Sequence, residues 1–316
     1  MIYEKNTLSM SDGNENVIHI WMPEGAVKAC VVLSHGMAEH ASRYERFATA
    51  LCERGIALYA EDHRGHGETA ALAEEKKSGK RGYLADKDGF FRVVDDILEE
   101  VRFVKKNHPG KKIFLFGHSF GSFVSQCFIE KYGSEIDGCV LCGTAGPRNG
   151  LVAFAKCVGG LASLFGGRKH VSKFVNALSF GSYNARIKNP RTLFDWLSRD
   201  NAEVDKYIED EWCGFLCTTG FFCDMFSGLS FIHKKENMAA IPKNLPVLFI
   251  DGTGDPVGDY GKTVRNLYGI YQQNGMENVR LKMYDGARHE LLNETNRDEI
   301  TSDVIGWMES ELKVES

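Results

Sequence analysis

Long apolar runs are missing from this 316-residue sequence, in which no window reaches the ~18 uninterrupted apolar residues of a membrane-crossing helix. The first residues, MIYEKNTLSMSDGNEN, lack the basic opening and the apolar stretch of a secretory signal peptide. A soluble, cytoplasmic protein is the expectation. A surplus of positive charge is also missing. The 38 Lys and Arg against 43 Asp and Glu leave a net charge of −5, so no nucleic-acid partner is expected, because a chain that tracks phosphates carries a basic excess. Nine cysteines are an odd number in a long chain, unlike the even set of a short disulfide scaffold, and they point to a reducing compartment. Cys139 and Cys142 form a C-x-x-C, yet they sit in an apolar run (IDGCVLCG) that reads as a strand, where positions i and i+3 face opposite sides. With no second pair at zinc-finger spacing, neither a metal nor another cofactor is expected.

The composition that remains, 43% hydrophobic and 26% charged, is that of an ordinary globular protein with enough chain for a large core. Val17–Trp21, Cys30–Ser34, Ile56–Glu61, Ile113–Gly117, Val140–Cys142, Val247–Asp251 and Val279–Tyr284 are short runs rich in β-branched and aromatic residues, and read as strands. Between them, segments such as Tyr44–Arg54 and Phe91–Lys106 place apolar residues three or four apart, as amphipathic helices do. The rhythm predicts an α/β fold with a mostly parallel sheet buried under helices on both faces. Ligands of such sheets bind beyond the carboxyl ends of the strands. Residues 147–242 break the rhythm, which predicts a core of 1–146 and 243–316 interrupted by an insertion. That insertion is rich in aromatics, among them Phe154, Phe165, Phe174, Trp196, Trp212, Phe215, Phe221, Phe222 and Phe226. Its first half, Arg148 to Phe194, holds eight basic residues, including Lys156, and no acid; Asp195 to Glu236 holds nine acids against four bases.

Directly after the IFLFG strand comes Gly117-His118-Ser119-Phe120-Gly121, then an apolar helix-like run (FVSQCFIEKY). This is G-x-S-x-G between a strand and a helix, the context that makes it a nucleophile turn. The turn strains the serine backbone, and side chains at the two glycines would collide with the neighbouring strand and helix. Ser119 would then project at the start of a helix, where the dipole favours developing negative charge. A serine of ordinary pKa needs a base, and the base needs an orienting acid, in the chain order Ser, acid, His. His170, His233 and His289 follow Ser119, and His289 alone lies past the last strand. Asp255 stands in the loop after VLFID, with Asp251 and Asp259 as rivals. The oxyanion site should use the backbone N–H groups of Phe120 and of Met37, the latter in the His35-Gly36-Met37-Ala38-Glu39-His40 loop. His35, Glu39 and His40 have no further ligand set beside them in sequence, and read as hydrogen-bonding residues of that loop.

With these residues in place, the chain resembles the α/β-hydrolase superfamily, and within it the monoacylglycerol lipase and lysophospholipase-like branch of serine aminopeptidase-like hydrolases. Asp62-His63-Arg64-Gly65-His66-Gly67 is similar to the D-H-x-G-H-G loop of that branch, and Gly82-Tyr83-Leu84-Ala85-Asp86 matches as well. The branch usually has a serine soon after that loop, where Glu68-Thr69 stand here. The resemblance implies that Ser119, Asp255 and His289 form a triad with the Met37 and Phe120 amides as oxyanion donors, and that 147–242 is a helical cap. It implies a serine hydrolase of carboxylic esters, lipid-like where the aromatic cap makes an acyl site. Transient contact of the basic half with a membrane surface is a further expectation; the plainer alternative is that the aromatics are the cap's own packing and its basic residues a solvated face. A short-chain carboxylesterase and a serine aminopeptidase or amidase are the rival enzymes, the peptidase requiring a cap acid such as Asp224 to hold the substrate ammonium. A non-catalytic binding protein on the same scaffold is the rival outside enzymes.

Overall fold

The computed structural model describes residues 1–313 apart from 149, 151, 153–157, 161, 162 and 165. Phe154, Lys156 and Phe165 therefore lie outside the described residues. One sheet runs through the molecule, built from β1 (Ile2–Ser9), β2 (Glu15–Met22), β3 (Ala29–Ser34), β4 (Ile56–Glu61), β5 (Lys112–His118), β6 (Gly138–Cys142), β7 (Val247–Gly252) and β8 (Val279–Tyr284). The strand order is β1-β2-β4-β3-β5-β6-β7-β8. β1 and β2 run antiparallel to their neighbours, and the six strands β3 to β8 form a parallel set. This is the α/β-hydrolase fold.

The apolar runs place seven of these strands, but the sheet does not begin at Val17. β1 precedes it, and its residues are almost all exposed, so IYEKNTLS has no buried face to leave a hydrophobic period. What forms it is the ladder with β2, from Ile2 opposite Met22 to Ser9 opposite Glu15, together with the Tyr3 ring against Trp21 at 5.4 Å.

The helices among the described residues are α1 (Glu45–Glu53), α2 (Gly67–Glu75), α3 (Gly89–Asn107), α4 (Phe120–Tyr132), α5 (Lys173–Phe180), α6 (Asn201–Glu209), α7 (Thr219–Ile232), α8 (Lys235–Ala240), α9 (Lys262–Gln273) and α10 (Arg297–Lys313). None is long and apolar enough to cross a membrane. Every residue of β3 is buried. Cys30 and Val32 pack with Val94 and Ile97 of α3 and Val124 of α4. Val31 and Leu33 pack on the other face with Leu51 of α1 and Val304 of α10. Cys139 and Cys142 fall on these two opposite faces, and Cys30, Cys52, Cys127, Cys139, Cys142, Cys213 and Cys217 are free thiols.

The insertion between β6 and β7 contributes α5 to α8 and one isolated bridge, Val171 to Thr218. Its longest described helix, α7, is packed into the core rather than above it. Phe221 and Phe222 are fully buried in the cluster that holds Phe90 and Phe120, and each such ring is worth about 2 kcal/mol of apolar burial.

Candidate active site

β5 delivers the chain to Ser119 and α4 carries it away, and the turn between them leaves Ser119 at φ 54° and ψ −118°. A non-glycine residue in that region stores roughly 1–3 kcal/mol of strain, which persists only when the surroundings dictate it. The Ser119 amide is tied to the Cys142 carbonyl at 3.0 Å. A side-chain carbon on Gly117 would lie 2.2 Å from Ser125 Oγ, and one on Gly121 only 1.9 Å from the Ser34 carbonyl oxygen. The two glycines are thus fixed by space, as the sequence pattern predicts.

Three distant stretches of sequence meet at this turn. His289 Nε2 is 2.8 Å from Ser119 Oγ, and His289 Nδ1 is 2.8 Å from Asp255 Oδ2. The second Asp255 oxygen accepts from the Val257 amide at 2.8 Å. Burial alone would push the Asp255 carboxyl up, but the neighbouring imidazole and these hydrogen bonds hold it below the usual carboxylate value. An ionised Asp255 only accepts, so Nδ1 carries the proton and Nε2 is left to accept from the serine hydroxyl. Of its rivals, Asp251 lies fully buried near the end of β7, beside the Asp255 carboxylate. Burial, reinforced by the adjacent Asp255 charge, pushes Asp251 well above the usual range and keeps it neutral. Asp259 sits on a turn at φ 53°, 3.8 Å from Arg148. His170 is exposed, and burial lowers His233 to about 4 in a pocket where its ring approaches the Ala145 carbonyl. Neither enters the Ser119 constellation.

Phe120 is the first residue of α4, so its N–H is one of the helix amides without an intrahelical acceptor. The Gly36–Met37 loop curls over the serine: a side-chain carbon on Gly36 would lie 3.2 Å from Ser119 Cβ. The loop residues are bound as hydrogen-bonding groups. The Gly36 amide donates to Glu39 Oε1 at 2.6 Å, and the same oxygen accepts from the Tyr44 hydroxyl at 2.9 Å and lies 3.0 Å from His118 Nδ1. His35 Nε2 accepts from the His63 amide at 3.0 Å, and Asp62 receives the amides of Ala41 and Glu68. The D-H-R-G-H-G stretch is therefore a brace for the Met37 loop. Arg43 joins Glu39 at 2.5 Å to Glu290 at 2.8 Å, linking that loop to the residue beside His289. Neither Arg43 nor Glu290 was singled out from sequence, where nothing connects positions 43 and 290.

Ser119, Met37, Phe120 and His289 lie on the wall of a cavity of about 960 Å³. The insertion supplies much of the rest, with Phe180, Trp196 and Phe226 among the aromatics. The Trp196 ring is 5.1 Å from that of His289 and stacks on Phe180 at 6.3 Å. The aromatics thus divide between the cavity, the core (Phe221, Phe222) and the surface, where Phe174 is 69% exposed. Part of the basic half of the insertion is matched by acids: Arg168 bonds Asp224 and Arg191 bonds Asp205, each at 2.7 Å.

Known proteins resemble this arrangement over nearly its whole length. The chain is 29% identical to the monoglyceride lipase of Homo sapiens over 297 residues, 93% of this chain and 86% of that protein. It is 29% identical to the monoacylglycerol lipase of Mycolicibacterium smegmatis over 304 residues, 94% and 93% of the two chains. Among solved structures, a thermostable carboxyl esterase from Bacillus coagulans in complex with glycerol superposes with a TM-score of 0.90 at 26% identity, covering 99% of both chains. Residues 25–296 match the family described as Serine aminopeptidase, S33, a span that holds the Met37 loop, Ser119, Asp255 and His289 alike, and the chain belongs to that family of α/β-hydrolase-fold serine hydrolases.

Proposed function

We propose that the protein hydrolyses lipid-like carboxylic esters, monoacylglycerols or lysophospholipids, through an acyl-enzyme on Ser119. The observation that carries this reading is the unbroken relay from Ser119 Oγ through His289 to Asp255, two contacts of 2.8 Å, on the wall of a large, mainly apolar cavity. Ser119 attacks the ester carbonyl while His289 takes its proton, and Asp255 stabilises the imidazolium. The Met37 and Phe120 amides receive the oxyanion. His289 returns the proton to the leaving alcohol, and water repeats the sequence to release the acid. Residues 147–242 act as the cap, with Trp196 and Phe180 along the acyl chain. The names of the human and mycobacterial relatives support a monoacylglycerol, and the esterase with glycerol supports an ester site of that size.

An aminopeptidase would need a free acid for the substrate ammonium. Asp224 is spent on Arg168, the cavity acids Glu39 and Glu290 share Arg43, and Glu39 is further occupied by the Gly36 amide, Tyr44 and His118. Esters are therefore favoured over amides. Leu178 and Leu193, which line the cavity, are 48% and 83% exposed and lie in the insertion with Phe174. This face would rest transiently on a membrane while drawing in substrate. The free thiols suit a reducing compartment, the cytoplasm.

The test is initial rates of wild type and Ser119→Ala on short and long acyl esters, a monoacylglycerol, a lysophospholipid and an aminoacyl anilide. Serine-dependent turnover that favours the long-chain lipids is expected. Turnover of short esters alone would reduce the reading to a general carboxylesterase, anilide cleavage would transfer it to a peptidase, and inactivity throughout would leave a binding protein.

A further inference from the structure

Beside the proposed oxyanion loop, the insertion and the core meet through three side chains that the relay does not use. We propose that His40, Asp210 and Cys213 form a site for one zinc-class divalent cation, joining the loop that bears Met37 to the segment after α6. The candidate ligand atoms of these residues all lie within 4.8 Å of one another, and among the described residues no other group of three meets that condition. His40 Nε2 and Asp210 Oδ2 are 2.8 Å apart. Cys213 and His40 are each only 9% exposed, whereas the Asp210 side chain is 29% exposed. The cluster therefore has a wall of protein and one open side, where an ion can enter and a water can complete the coordination.

The donor set selects the metal. An imidazole, a thiolate and a carboxylate together suit zinc, whereas magnesium and calcium prefer oxygen ligands throughout. The partners behind the ligands are already in position. His40 Nδ1 is 2.9 Å from Ser42 Oγ, and Asp210 Oδ1 accepts from the Trp212 amide at 2.8 Å. This leaves Nε2 and Oδ2 as the facing atoms, the outer support that orients metal ligands elsewhere. The backbones on both sides are also fixed to one another. The Ala38 carbonyl accepts from the Gly214 amide at 2.9 Å and from the Tyr207 hydroxyl at 3.0 Å. The Cys213 amide donates to the Asp210 carbonyl at 3.0 Å. Arg43 lies close enough to act on Cys213, but its charge is matched by Glu39 and Glu290.

Binding forms a metal–sulfur bond and releases the thiol proton to the buffer; the neutral His40 imidazole shifts its Nε2 proton to Nδ1, which then donates to Ser42 Oγ, so that Nε2 binds the metal in place of its hydrogen bond to Asp210. The loaded site would hold the Met37 loop and the insertion at a fixed separation.

The test titrates the full chain, with no added metal at the start, with Co²⁺ and then with Zn²⁺. One Co²⁺ per chain is expected, with a thiolate-to-cobalt charge-transfer band in the near ultraviolet that Zn²⁺ abolishes. Cys213→Ser should remove the band. His40→Gln should weaken binding at least ~10-fold, the minimum seen when even outer-shell partners are lost. Thermal melts without metal check that both variants remain folded, and Zn²⁺ should raise the melting temperature of the wild type alone. A missing band in the wild type, or one that survives Cys213→Ser, would overturn the site. None of these readouts uses hydrolysis, so a failure here is distinct from a failure of the lipase reading.

Discussion

Glu130 provides a quantitative test of how this core treats charge. It lies in α4, 8% exposed, and no described residue offers either carboxylate oxygen a hydrogen bond. Burial, with no compensating cation, pushes its carboxyl up to about 10. In the unfolded chain the same group titrates at its ordinary 4.5. Between those two values the native state holds a proton that the unfolded state gives up, so stability falls as pH rises through this window. Glu130→Gln replaces the neutral acid by a neutral amide of the same shape and removes that dependence. The advantage of the variant should be small near about pH 5 and grow by about 1.4 kcal/mol per pH unit, reaching about 4 kcal/mol more by about pH 8. Urea unfolding of both proteins at the two pH values measures it. A gap that stays constant with pH, or narrows as pH rises, would show that Glu130 is ionised in the folded protein and would refute the reasoning.

Three further substitutions probe the site. Asp255→Asn replaces an acceptor by a group that can donate towards Nδ1 and should cost ~10⁴ in kcat, the scale of a wrong imidazole tautomer. Asp251→Asn exchanges one neutral group for another, so the acid limb of its kcat/KM profile should stay in place; a downward displacement would mean that Asp251 carries charge beside Asp255. Gly121→Ala drives a carbon into the Ser34 carbonyl of β3 and should destabilise by about 3 kcal/mol or more. An unchanged melting temperature would show that the turn yields without strain.

The inner parallel strands were legible because they are buried on both faces and leave an apolar run, as β3 does with ACVVLS, whereas the edge strand β8, VRLKMY, buries only its two ends and shows itself by alternation and β-branched content. β1 was not, since it is held by backbone pairing with β2 and buries no periodic face. Ser119 and His289 could be named because a steric turn and chain order single them out. Asp255 could be narrowed to three carboxylates, but choosing between Asp255, Asp251 and Asp259 depends on which one the loop after β7 aims at Nδ1. That is a distance, and no local pattern encodes it. The Arg43–Glu290 bridge is likewise a product of tertiary packing. Residues 147–242 were legible as an interruption, yet their composition does not separate Trp196, against the cavity, from Phe222, in the core, because both environments select the same apolar rings.

The two outer strands also bear on how copies of this chain meet. An open sheet edge is a row of unpaired backbone groups on which another sheet can build. β1, at one margin, carries Glu4 and Lys5 along an exposed ribbon, and β8, at the other, carries Arg280 and Lys282. Stacking two molecules edge to edge would bring those ammonium, guanidinium and carboxylate groups out of water or against like charges. Growth of the sheet from one molecule into the next is therefore disfavoured at both margins, and the protein can expose Leu193 and Phe174 without also presenting a sheet edge as a template for fibrous assembly.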